Sequence, residues 1–70
     1  MRTLEQQLEK CKSSIAAHVA RGGTRNSVRG MALETRYDGL RLAAMERGAW
    51  RSFCEARGLA VSHVGFDLFA

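Results

Sequence analysis

Leu4, Leu8, Cys11, Ile15 and His18 recur at spacings of four, three, four and three, with Val19 beside the last of them. That alternation holds side chains on one face of an α-helix and on neither face of a strand. Thr3, with Gln6 three residues on, has the pattern of a capping box ahead of the run. Gly22-Gly23 closes it, and Arg21 in the last turn suits the negative end of the helix dipole. The pattern predicts a helix over 3–21. Its seam covers little more than two heptads, too short to stand alone as a coiled coil. Packing inside a bundle is therefore the expectation, with a dimer seam as the alternative.

A second helix is predicted over 27–46, with Asn26 or Ser27 placed to cap it. Two apolar tracks run along it. Val28, Met31, Thr35, Leu42 and Met45 make one; Leu33, Tyr37, Leu40 and Ala44 make its neighbour. The two methionines read as core filler. Asp38-Gly39 is both a turn signal and a helix-weakening pair, so a kink or a split is expected there. Gly48 punctuates, and a short third helix over 49–57 presents Trp50, Phe53 and Cys54 to the core before Gly58 ends it. Trp50 is expected in the core, or else as an interface anchor.

The tail after Leu59 admits several readings. Val64, Phe66 and Leu68 alternate as in a strand, whereas Val61, Val64, Leu68 and Phe69 fit a helix that must tolerate Gly65. A short helix or an apolar arm over 61–69 is preferred, because a lone strand would need a partner edge. The fold class is all-α: a small three-helix domain with an apolar C-terminal arm, one domain over 1–70.

With 70 residues, such a chain buries only about 60% of its unfolded surface. Its core yields roughly 3–5 kcal/mol. Self-association is expected on that ground, through the Leu4–Ile15 seam or the Val64–Phe69 tail, and a homo-oligomer follows. The two cysteines, Cys11 and Cys54, form no CxxC pair. Together with His18 and His63 they match no zinc spacing. They read as small core residues in a reducing compartment, bridged only if the helices set them face to face. No metal and no cofactor is expected. Residues Thr3–Lys12 are polar where a signal peptide would be apolar, and no stretch is long enough to cross a membrane. These features predict a cytoplasmic protein without a membrane partner.

Charge is the most uneven property of the chain. Between Glu9 and Glu34 lie Lys10, Lys12, Arg21, Arg25 and Arg29 and no carboxylate, while the remainder carries six cations against seven carboxylates, so the formal net charge of +4 comes entirely from that window. Arginine outnumbers lysine nine to two, and its planar fork suits phosphate and carboxylate. Arg21, Arg25 and Arg29 stand four apart around a glycine-bearing loop, with Asn26 between them, and look like phosphate contacts at a helix N-terminus. Lys10 and Lys12 extend the patch along the first helix. There is no GxxxxGK[ST] loop to cradle a nucleotide. No aromatic residue lies in the segment, which argues against stacking on single strands.

Three resemblances touch parts of the chain. Residues 50–69 resemble a helix-turn-helix: Phe53-Cys54, then Gly58, Leu59, Val64 and Leu68. The resemblance implies a recognition helix over 61–69, with Arg51 and Arg57 on phosphates. That segment, however, holds Ser62, His63, Gly65 and Asp67 and no Arg, Lys, Asn or Gln to read bases. Phe66-Asp67-Leu68-Phe69 is similar to the peptide with which bacterial proteins dock on the sliding clamp, with Gly65 where a glutamine is usual. Arg36-Tyr37 followed by Arg51-Ser52-Phe53 resembles the theta subunit of bacterial DNA polymerase III, though the proline expected after the first pair is absent. No residue role is carried over from it.

The cysteines, histidines and carboxylates form no recognisable triad or carboxylate pair, so binding rather than catalysis is expected. The leading expectation is a small nucleic-acid-binding accessory or regulatory protein of the kind phages and plasmids encode. It would make phosphate contacts through Arg21, Arg25, Arg29, Lys10, Lys12 and Asn26. The alternative is an adaptor or inhibitor of a protein, of anti-defence or polymerase-accessory type. It would set the arginine patch on an acidic protein surface, or bury Trp50, Phe66, Leu68 and Phe69 in a partner.

Overall fold

The computed structural model describes residues 2–69 and contains three α-helices: α1 (Leu4–Ala20), α2 (Val28–Glu46) and α3 (Trp50–Arg57). A C-terminal 3₁₀ turn spans Gly65–Phe69. The all-α reading holds, each predicted helix lies within a residue or so of its expected bounds, and residues 61–69 form an arm ending in that turn.

The caps explain where the helices begin. The Gln6 N–H donates to Thr3 Oγ1 and the Thr3 N–H donates to Gln6 Oε1, a complete capping box. Ser27, not Asn26, caps α2 by accepting from the Gly30 N–H. Gly58 ends α3 in the left-handed region, φ 68°, which its missing Cβ allows. The expected break at Asp38-Gly39 does not occur. α2 runs through it unbroken, because Asp38 turns its carboxylate to the C-terminal turn, accepting from the Gly65 N–H at 2.8 Å.

α1 and α2 make the principal contact and run antiparallel, joined near their shared end by His18 against Ser27 and midway by the Cys11 thiol donating to the Leu33 carbonyl. Leu8, Cys11 and Ile15 of the α1 seam are buried against Leu33, Tyr37 and Ala44 of α2. The seam is thus spent inside the molecule and is not free for a dimer. α3 closes the core with Trp50, Phe53 and Cys54. Trp50 is 2% exposed, stacked on Phe53 with ring centroids 5.6 Å apart and edge-on to Tyr37 at 6.2 Å. Its indole N–H donates to the Val61 carbonyl, which ties the arm to α3. Trp50 is therefore a core residue and not an exposed anchor. Both cysteines are buried and unbridged.

Of the two apolar tracks on α2, only Leu33, Tyr37, Leu40 and Ala44 face the core. The other stays out: Val28, Met31, Leu42 and Met45 are 88%, 57%, 55% and 48% exposed. Met31 and Met45 are therefore not core filler. The core is two layers thin, and one face of α2 is enough to cover it.

Candidate anion-binding cleft between α1 and α2

The charged window does not form one patch. Arg25 leans over the Phe66 ring, 5.3 Å from its centroid, and lies 3.9 Å from Glu34. Arg21 is the C-cap of α1 and exposed. Asn26 lies exposed in the connecting loop. Lys10 and Lys12, two residues apart on a helix, point to different sides: Lys12 acts on Glu9 and His63, away from the α2 N-terminus.

What the fold does assemble is a cleft of about 210 Å³ lined by Lys10, Cys11, Ser14, Arg29, Leu33 and Arg36. The spacing is helical on both walls. Lys10 and Ser14 are i and i+4 on α1; Arg29, Leu33 and Arg36 are i, i+4 and i+7 on α2. Cys11 and Leu33 form the floor, where the thiol donates to the carbonyl at 3.5 Å. Lys10, Arg29 and Arg36 are exposed at the rim, and none of the lining residues is acidic. The volume is below the roughly 300–1,000 Å³ of ordinary small-molecule pockets, a size for a phosphate or carboxylate group presented by a larger ligand.

Burial pushes the Cys11 thiol up, although Arg36 and Arg29 pull it the other way. A thiol held protonated is a weak nucleophile, so Cys11 is a floor group. Lys10 and Arg29 were expected in a basic site; Ser14 and Arg36 were not. Arg36 was legible as i+7 from Arg29, but it lies beyond the acid-free window. The Ser14 signal was its i+4 spacing from Lys10.

Other candidate residues have structural employment. His18 Nε2 lies 3.0 Å from Ser27 Oγ. The Ser27 hydroxyl is committed to the Thr24 carbonyl at 2.8 Å, so the imidazole is the donor and carries its hydrogen on Nε2. This clasp shapes the loop, and Gly30 completes it, since a Cβ there would meet the Thr24 carbonyl. Arg57 pairs with Glu9 and lies over Phe53, 4.1 Å from the ring centroid, so it is not free for phosphate. Glu9 is held below the usual carboxylate range chiefly by that hydrogen bond.

A recognition helix over 61–69 is not formed. Val61-Ser62 turn, and the final element is five residues of 3₁₀ helix whose start is capped by Asp67 accepting from the Val64 N–H. In the clamp-like tetrapeptide, Leu68 and Phe69 pack against the core, and of its apolar residues only Phe66 is exposed, at 44%. Among the described residues no three His, Cys, Asp or Glu side chains converge as a metal site, and no helix is long and apolar enough to cross a membrane. No protein-family model, no curated protein and no solved structure matches the chain.

Proposed function

We propose that this protein is a nucleic-acid-binding accessory protein that grips the sugar–phosphate backbone with the α1–α2 cleft. The observation that carries the reading is the convergence of Lys10, Arg29 and Arg36 on one cleft with no carboxylate among its lining residues. Ser14 adds a hydroxyl that can donate to a phosphate oxygen, and the helical walls hold the three cations in register without a loop to order. Backbone contacts of this kind position a protein without reading sequence. Exposed Arg21 supplies a further cation at the end of α1.

The test is fluorescence anisotropy of labelled duplex DNA and RNA against the native chain and Lys10→Ala/Arg29→Ala/Arg36→Ala. Native binding should weaken with salt at a log–log slope of about −2 to −3, as three phosphate contacts require. The triple variant should lose it, while Arg25→Ala, whose side chain is turned to Phe66 and Glu34, should change it little. No nucleic-acid binding at low salt would sink the reading. The same cations would then be better matched to the carboxylates of an acidic protein surface.

A further inference from the structure

We infer that the α1–α2 cleft takes the end of a nucleic-acid strand, its terminal phosphate monoester, rather than a phosphodiester within the strand. The inference rests on the nucleic-acid reading above and narrows it. Four donors surround one closed floor. Cys11 and Leu33, 2% and 4% exposed, fill the bottom, where the thiol–carbonyl hydrogen bond joins the two helices. Lys10 and Ser14 stand one turn apart on the α1 wall, and Arg29 and Arg36 bracket Leu33 on the α2 wall. Both guanidiniums bear on the Cys11 thiol, pulling it down against the larger effect of burial. The positive field is therefore centred over the floor and not strung along the rim. These cations are also uncommitted. Arg25, Arg41 and Arg57 each have a carboxylate within 4.0 Å, whereas Lys10, Arg29 and Arg36 have none among the described residues.

Charge and shape separate the two kinds of phosphate. A phosphodiester inside a strand carries a single negative charge, so one of them over the floor leaves most of the charge of Lys10, Arg29 and Arg36 unmatched. A monoester carries about −1.5 to −2 at pH 7 and presents three acceptor oxygens. That is enough for two arginine forks, an ammonium and the Ser14 hydroxyl together. A diester also bears a sugar on each side and can only lie across the rim. A monoester bears one sugar, so its three oxygens can enter a floored cleft of about 210 Å³ tip first. No carboxylate lines the cleft to repel the second charge.

Anisotropy of one internally labelled oligonucleotide tests this with the full chain, the strand carrying a 5′-phosphate, a 3′-phosphate or hydroxyls at both ends. One of the phosphorylated strands should bind about tenfold or more tighter than the hydroxyl strand. Arg36→Ala alters an exposed position and should bring the two to nearly equal affinity, while Arg25→Ala should keep the ratio. The ratio should shrink from about pH 7.5 to about pH 5.5, because the monoester loses its second charge near pH ~6. Inorganic phosphate should displace the phosphorylated strand only in about hundredfold excess or more. Displacement at equal concentration would overturn the strand end as the ligand and make the cleft a site for free phosphate. Equal affinity for all three strands would overturn the inference and leave the backbone reading standing. No binding to any strand would overturn the nucleic-acid reading, and this one with it.

Discussion

Tyr37 and His63 show how a buried polar group can be tolerated for the packing it brings. Tyr37 is fully buried, and its hydroxyl has no hydrogen-bond partner among the described residues. Burial pushes the phenol well up, so it stays neutral. Its ring meets Trp50 and His63 edge-on. Tyr37→Phe keeps the ring and removes the orphaned hydroxyl, and chemical denaturation should show stability unchanged or raised by about 1 kcal/mol. His63 is held below its ordinary range, first by burial and then by Lys12 and Arg41, against the opposing pull of Asp67 3.6 Å away. A base with a depressed folded pKa takes its proton in the unfolded chain first. Stability is then lost as pH falls from about 6.5 toward the lower folded value, and is unaffected above it. Thermal melts should fall across that window, and His63→Gln should flatten the fall. Glu9, whose folded pKa is also lowered, acts near pH 4 by the same linkage and leaves the His63 window clear.

At the scale of elements, α2 organises the molecule. One side packs the core, one edge carries Arg29 and Arg36 to the cleft, another holds Asp38 for the C-terminal turn, and the outer stripe stays exposed. Gly39 lies on the exposed side with nothing within 4 Å of where a Cβ would stand, and its φ is not in the left-handed region. Gly39→Ala should therefore raise monomer stability by about 0.5–1 kcal/mol through helix propensity alone, measured by denaturation at a concentration too low for association. α3, with only eight residues, is too short to be stable alone. It is fastened by the Trp50 indole to Val61, by Arg57 to Glu9 and by stacked Trp50 and Phe53.

At the scale of the whole molecule, extents of 33 × 25 × 15 Å describe a flat body. In a body this flat the α1–α2 cleft, about 210 Å³, is a size for a group projecting from something larger. The cleft and the exposed apolar stripe lie on different sides of α2.

Helices, caps and their limits were written locally: Thr3 and Gln6, Ser27, Gly22 and Gly58 act within a turn or two of themselves, and the 4-3-4-3 seam needs no partner to be recognised. The break expected at Asp38-Gly39 was a local signal overridden from afar, because the Gly65 N–H lies twenty-seven residues away and engages the side chain that would have made the turn. The two tracks of α2 looked alike in sequence, since periodicity says which residues share a face and not which face meets the core. The choice fell to the antiparallel packing of α1, which needs only one of them. The cleft had the same origin. The acid-free window named Lys10 and Arg29, but a window along the chain is not a surface: the loop sends Arg25 to Phe66, the helix turns Lys12 away, and Arg36 and Ser14 enter only when α1 lies beside α2. Local chemistry set the elements, and long-range packing decided which charges converge and which apolar stripe stays exposed.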